Sequence, residues 1–217
     1  MSTVTTSAKD LRHLLTVAVA FTDPEDDLPP LTAVYLEAGG GILTATGSDR
    51  YALGHIRATA TGDWGRPGLA IDRDHAEWIA DGLAMLDGTE VVHLVTRDSH
   101  LTGLRLRIHH QEMSVEIPVR DSWTYPNYRL LFRKFDEQPA ALNAPLMLRT
   151  HVLEYAGKLR ELFGHQPTRW TVLSTTDAIR VEVGGCFAGL LMPAKDATPH
   201  KSWPVPIGVP EPTTAGS

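Results

Sequence analysis

Residues 39–58, GGGILTATGSDRYALGHIRA, decide how the rest of the chain is read. Strand-like runs cover Ile42–Thr46 and Tyr51–Thr61, and Gly47-Ser48 lies between them. Short β-branched and apolar runs broken by a Gly-Ser pair mark strand, turn and strand. Gly39-Gly40-Gly41 sets off a third run upstream, Leu31–Glu37. Further upstream the period changes. Over Ala8–Thr22, residues Leu11, Leu14, Leu15, Ala18 and Phe21 fall on one face of a helix, with Ser7 placed as its N-cap. The opposite face carries Lys9, Arg12, His13 and Thr16, a basic stripe behind the apolar one. The pattern predicts a helix followed by three strands.

Moving outward, the same order returns. Gly68–Ile71 reads as a short strand that leads into a helix starting at Asp72 and ending near Asp87-Gly88. Strands follow at Glu90–Thr96, Leu101–His109 and Met113–Val119. Leu104, Leu106 and Ile108 alternate there with Arg105, Arg107 and His109, as in a sheet with one wet face. A further copy begins at Leu146–Arg149, continues as a helix over Thr150–Phe163 that Gly164 stops, and closes with Trp170–Thr175, Ala178–Val183 and Cys186–Met192. Repeated βαβββ units imply an α+β architecture in which each sheet and helix buries its apolar face against a neighbour. Residues 196–217 are rich in proline and lack periodicity, so an extended or disordered tail is expected there.

A chain of 217 residues is long enough for a substantial core. With 42% apolar and 21% charged residues it has the composition of a globular protein. No run is long and apolar enough to span a membrane, and the start lacks the apolar stretch of a secretion signal, so the cytoplasm is the expected compartment. The single cysteine, Cys186, excludes an internal disulfide and reads as a small buried strand residue. A formal charge of −6 means that any nucleic-acid contact must come from a local patch. No nucleophile–base pair, paired-carboxylate cleft, phosphate loop or metal-ligand spacing emerges. His109 and His110 adjoin in a strand, so their side chains face opposite ways. No catalytic residue, metal ligand or cofactor is therefore assigned, and a protein that acts by binding is expected.

Three segments carry a resemblance to the sliding-clamp family, the β subunit of bacterial DNA polymerase III. In GGGILTATGSDRYALGHIRA, Ser48-Asp49 followed by Ala52-Leu53-Gly54 resembles the family's "T-D" pair followed by "R-L-A". DSWTYPNYRLLF, residues 121–132, resembles the linker "D-G-x-F-P-D-Y-R-R-L" that closes the clamp's middle domain. GLLMPAK, residues 189–195, resembles the ending "V-M-P-M-R". The segments come in the family's order and cover roughly residues 8 to 195, although the chain is only about half as long as ordinary members. The resemblance implies the DNA clamp fold, with antiparallel sheets outside and helices on the inner face. It implies a two-unit clamp domain at residues 1–133, a linker at 134–145, a single half-domain at 146–195 and the tail. The family's first domain and half of its last have no counterpart.

In that family the three segments converge on an apolar pocket that captures short peptides of polymerases, clamp loaders and repair proteins. Carried over residue by residue, the pocket is Ser48, Arg50, Tyr51, Leu53, Pro126, Leu131, Leu190, Met192 and Pro193. Leu53, Leu131 and Leu190 serve a core equally well. The family's pocket arginine is Ala52 here, which alters the expected peptide preference. Family members also encircle duplex DNA, with basic residues of the unit helices facing phosphates. The residues placed for that role are Lys9, Arg12, His13, Arg73, Arg149 and Lys158, although Asp74, Glu77 and Asp81 oppose it on the second helix. Ring closure implies a homo-oligomer. The alternative is a clamp-fold adaptor, regulator or decoy that binds replication proteins without encircling DNA.

Overall fold

The computed structural model describes residues 2–23, 25, 28, 30–99, 103–111, 113–121, 127–137, 150–173 and 178–193. The chain opens with strand β1 (Ser2–Ser7), whose Val4 and Thr6 are buried. Sequence periodicity misses this strand because serine and threonine bring β propensity without hydrophobic contrast. Ser7 then caps α1 (Ala8–Val19), its hydroxyl accepting from the Asp10 amide at 3.0 Å. Leu11, Leu14, Leu15, Ala18 and Phe21 are all buried, as their spacing predicts. The helix ends at Val19, three residues early, because Phe21 N bonds Ala18 O at 3.1 Å and Thr22 Oγ1 donates to Val19 O at 2.8 Å. That tightened turn seats Phe21 in the core.

β2 (Ala33–Gly39), β3 (Ile42–Ser48) and β4 (Ala52–Thr59) follow, with a two-residue β5 (Thr61–Gly62). The second unit is β6 (Leu69–Asp72), α2 (Arg73–Leu83), β7 (Val91–Ser99), β8 (Gly103–His110) and β9 (Met113–Pro118), then the short β10 (Arg120–Asp121). Asp72 holds the N-cap position of α2 but makes no capping bond, its carboxylate pairing with Arg120 instead. α2 stops at Leu83, short of Asp87-Gly88, where Asp87 accepts from the Thr89 amide at 3.0 Å. α3 (Arg129–Glu137) falls where a linker is expected, and residue 133 lies within it. α4 (Thr150–Phe163), β11 (Thr168–Val172), β12 (Ile179–Val183) and β13 (Phe187–Leu191) complete the third unit. Its predicted leading strand, Leu146–Arg149, lies outside the described residues, as do residues 138–145 of the expected linker and the whole tail. Cys186 is half-buried in the turn before β13 rather than in a strand. Among the described residues no helix is long and apolar enough to cross a membrane.

Among the described residues all strand pairs are antiparallel and form two sheets, ordered β5-β1-β7-β8-β9 and β10-β6-β2-β3-β4-β13-β12-β11. The first two units exchange their leading strands. β1 joins β7, from Ser2↔Thr96 to Ser7↔Val91, and β6 joins β2, from Ala33↔Asp72 to Leu36↔Leu69. Each helix is thereby anchored at its start in the other unit's sheet, and α1 packs along α2. The third unit extends the larger sheet through β4 and β13.

A row of glycines makes that extension possible. Gly47, Gly54 and Gly189 lie directly opposite one another across β3, β4 and β13. A Cβ on Gly47 would stand 2.0 Å from Ala18 O, and one on Gly54 would stand 2.4 Å from the Phe21 ring. The end of α1 therefore lies against bare backbone, the close approach that glycine permits in a strand. Into the same place comes α4, its Tyr155 stacked on Phe21 at 4.9 Å and its Phe163 5.1 Å from Phe187.

Candidate functional site

The pairing of β4 with β13 brings the first and third sequence segments together. Leu53 stands opposite Leu190, Ala52 opposite Leu191, and the Met192 amide donates to Tyr51 O at 2.7 Å. The second segment leads into α3, and Tyr128 just before the helix and Phe135 within it bury against Leu53 and Leu190 with Tyr35 and Leu173. Leu53 and Leu190 are only 6% and 2% exposed, so they form a floor that is also core. Tyr51 and Met192 lie just beyond the ends of β4 and β13, where the bond from the Met192 amide joins them. Those two remain 38% and 37% exposed, and Leu131 on α3 is 54% exposed. Leu130, 60% exposed beside it, is an apolar surface residue that sequence reasoning did not single out. Pro193 is buried, and Pro126 lies outside the described residues.

Polar contacts fix the lip of this seam. Ser48 donates its hydroxyl to Ala52 O at 3.0 Å. Asp49 accepts from the amides of Tyr51 and Ala52 at 2.8 and 2.6 Å, and from the hydroxyl of Tyr155 on α4. Burial, and then the bond to Asp49, push the Tyr155 phenol well above the usual tyrosine range. Arg50 is exposed at the tip with φ of 97°, a left-handed conformation that an arginine holds only under restraint. The structure thus couples the loop of the first unit to the helix of the third.

Beyond the seam, α3 roofs a hollow of about 320 Å³ over His55, Arg129, Phe132, Arg133, Arg180 and neighbours. Its arginines have acidic partners: Arg129 pairs with Glu37 at 2.7 Å, Arg133 with Glu137 at 2.7 Å, and Arg180 with Asp136 at 2.7 Å and Glu182 at 2.9 Å. Tyr128 donates to Glu37, and burial first, then that bond, raise its phenol well above the ordinary range. Among the described residues no group of three or more His, Cys, Asp or Glu side chains is placed to hold a metal ion.

The residues proposed for phosphate contact divide. Lys9 and Arg12 stand exposed on α1, as their stripe predicts. His13 sits edge-on to Phe163 at 5.3 Å, and burial lowers its pKa, so it is held toward the uncharged form. Arg73 donates to Thr22 Oγ1 at 2.7 Å, Val19 O at 3.1 Å and Thr22 O at 3.3 Å, and pairs with Glu77. Lys158 donates to Ala20 O at 3.1 Å and lies over the Tyr155 ring. The last turn of α1 contains no basic residue, so its carbonyls draw these two cations from the other units. Arg149 lies outside the described residues.

Paired βαβββ units with exchanged leading strands, sheets continuous across units, and helices packed against them define the fold of the bacterial DNA polymerase III β sliding clamps, in divergent form. Solved structures superpose accordingly. The DNA polymerase sliding clamp of Caulobacter crescentus matches with a TM-score of 0.69 at 15% identity, covering 92% of this chain and 67% of that one. That of Pseudomonas aeruginosa gives 0.67 at 13%, covering 89% and 66%. The DNA polymerase III β subunit of Thermotoga maritima gives 0.71 at 10%, covering 91% and 66%. The chain spans about two thirds of the length of these proteins. No protein-family model matches the sequence, and no curated protein matches it. Likeness at these identities establishes the fold, and the role of each residue rests on this chain's own geometry.

Proposed function

We propose that this chain is a clamp-fold protein of DNA replication that acts by binding and not by catalysis, capturing short apolar peptides of replication partners at the seam of β4, β13 and α3. One observation carries the reading: the Leu53–Leu190 pair closes the floor while Tyr51, Met192 and Leu131 stay exposed around it. An apolar floor beside a methionine and an aromatic rim suits an adaptable peptide anchor. In this reading residues 1–133 are a two-unit clamp domain, and the half-domain from residue 146 to 195 exists to complete the seam. Ala52, standing where the clamp family has arginine, is buried in the main core on the other face of β4 from Leu53, so recognition at the seam falls to the remaining residues.

The test is fluorescence anisotropy with a labelled peptide bearing the apolar and aromatic clamp-binding motif of a replicative polymerase. Met192→Glu and Tyr51→Ala are each expected to weaken binding by at least about tenfold, as rim anchors of a small interface do. Affinity that is unchanged in both variants refutes the seam as the binding site.

Capture without encirclement is the second reading, and the charge of the helix face favours it. Arg73 and Lys158 are bound internally, Lys9 and Arg12 face outward on α1, and Asp74 and Asp81 are exposed on α2. A sequence-independent phosphate channel depends on accumulated positive charge, and the described residues of this face do not accumulate it. The adaptor reading expects closed circular and linearised DNA to be retained equally poorly. Retention on circles alone would establish a ring.

A further inference from the structure

We infer that the outer face of the five-stranded sheet binds single-stranded nucleic acid, with its phosphates held by Arg97, Arg105 and Arg107. The inference is independent of peptide capture at the seam and of the charge on the helix face. Val92, Leu94, Leu106 and Ile108 bury one side of β7 and β8 in the core. The residues that alternate with them therefore stand on the other side. There Arg97 lies directly opposite Arg105. One step along the strands Arg107 lies between Val95 and Glu116, and one step further His93 faces His109.

The arginine pair is unfavourable to the fold, because like charges directly opposite each other destabilise a sheet. Among the described residues Glu116 is the only carboxylate in these rows, and it is committed to Arg107, accepting from Nε at 3.1 Å and from a terminal nitrogen at 2.9 Å. Arg105 Nε stands 3.9 Å from Glu116, too far for a hydrogen bond. The Nε atoms of Arg97 and Arg105 are shut from solvent and donate to no group among the described residues. Alternation turns Asp98 to the opposite face. Three guanidinium groups thus share one carboxylate, on a chain whose formal charge is −6. The complement of such a patch is an oxyanion. Guanidinium forks match phosphate oxygens, and a phosphate set between Arg97 and Arg105 offsets the repulsion between them.

The row beyond the arginines points to a nucleic-acid strand as the source of the phosphates. Arg105 and Arg107 are two residues apart on one strand, about 6.7 Å, and successive phosphates of an extended single strand can follow such a line. His93 and His109 continue it by another step, their rings 5.9 Å apart and 29° from parallel. Thr5 Oγ1 lies 3.1 Å from His93 Nδ1 and steadies that ring. On the far side of His109 stands Ser114, small and exposed, which leaves that flank of the ring to a base. Aromatic rings beside guanidinium groups on an open antiparallel sheet suit unstacked bases, which a single strand presents and a duplex conceals. An acidic peptide matches the charge but leaves the ring pair without a role.

The experiment is fluorescence anisotropy of a labelled oligothymidylate, about twelve nucleotides long, with the full chain at low salt. Two to three phosphate contacts predict that log affinity falls against log salt with a slope of about −1.4 to −2.1. Arg97→Gln and Arg105→Gln are each expected to lower affinity about tenfold and to flatten the slope by about 0.7. Each variant also relieves the opposed charges, so its urea midpoint should stay level or rise, which a structural role for these arginines would reverse. His109→Ala is expected to lower affinity about tenfold and His109→Phe to retain it, because the ring carries the stack. Arg169→Gln, on β11 in the other sheet, is expected to bind like the unaltered chain. Failure of the unaltered chain to bind, unchanged affinity in both arginine variants, or a lowered urea midpoint in either overturns the inference. So does displacement of the label by duplex or by polyglutamate as readily as by unlabelled strand, and displacement by polyglutamate would assign the face to an acidic protein partner.

Discussion

His55 sits beneath α3, its Nδ1 2.9 Å from Thr46 Oγ1 and its ring 5.3 Å from Tyr128 and 6.0 Å from Phe132. Burial, reinforced by Arg129 and Arg57, lowers its pKa from 6.5 to about 4. The unfolded chain therefore takes up this proton at higher pH than the folded one. Stability from His55 is complete above pH 6.5 and declines as pH falls toward 4, by about 2 kcal/mol at pH 5. His13, also lowered, adds a slope of the same sign, so the contribution is read as a difference between proteins. His55→Gln keeps a hydrogen-bonding partner for Thr46 and is expected to flatten the loss measured by urea denaturation between pH 7 and pH 5. An identical slope in both proteins would show that His55 accepts its proton without disturbing α3. Residue type alone gives no hint of this burial. Nor does it show that Arg73 and Lys158 turn inward, because what recruits them is the absence of a basic residue from the last turn of α1, on a different element.

At the scale of elements, α3 is the piece whose existence depends most on what lies under it. Nine residues make too short a helix to persist alone, so its stability comes from Tyr128 and Phe135 against Leu53 and Leu190. Phe135→Ala removes a ring that is 8% exposed and is expected to cost about 3 kcal/mol, the low end for a buried phenylalanine. Hydrogen exchange should show the loss chiefly in residues 129–137, while α1 keeps its protection. Uniform loss across the chain would mean that α3 unfolds only with the whole. This helix was legible in principle, since Tyr128, Phe132 and Phe135 follow a helical stripe. The family resemblance assigns this stretch to a linker, and that assignment overrides the stripe. α1 is legible because its polar and apolar faces separate cleanly, whereas the Gly47-Ser48 pair read as a turn is paired inside β3, and the turn to β4 falls at 49–51, where Asp49 bonds the amides of Tyr51 and Ala52. β1, made of serine, threonine and one valine, carries no comparable signal. The meeting of Leu53 with Leu190 is a different matter. No local pattern encodes a partner so distant along the chain, and only the resemblance of three segments placed them together.

For the molecule as a whole, the question is what holds the third unit against the first two, since the candidate peptide site exists only while it stays docked. The strand pair β4–β13 supplies the backbone contact, and the Phe21–Tyr155 stack fills the space above the glycine row. The hydroxyl of Tyr155 adds a specific link to Asp49, whose carboxylate also shapes the loop bearing Arg50 and Tyr51. Tyr155→Phe keeps the stack and deletes that link, leaving Asp49 with its two amide donors. Asp49→Asn weakens the acceptor while keeping its shape. A hydrogen bond to an ionised carboxylate contributes about 1.5–3 kcal/mol, so each change is expected to destabilise by an amount of that order, and the double variant by less than the sum. Peptide affinity at the seam should fall in the same pattern, because the rim residue Tyr51 is held by the loop that Asp49 organises. Denaturation and anisotropy on the four proteins of the cycle check both statements. Strict additivity in stability would show that loop and helix are fastened independently. Additivity in peptide binding alone would mean that docking of the third unit, rather than the shape of the loop, sets the affinity.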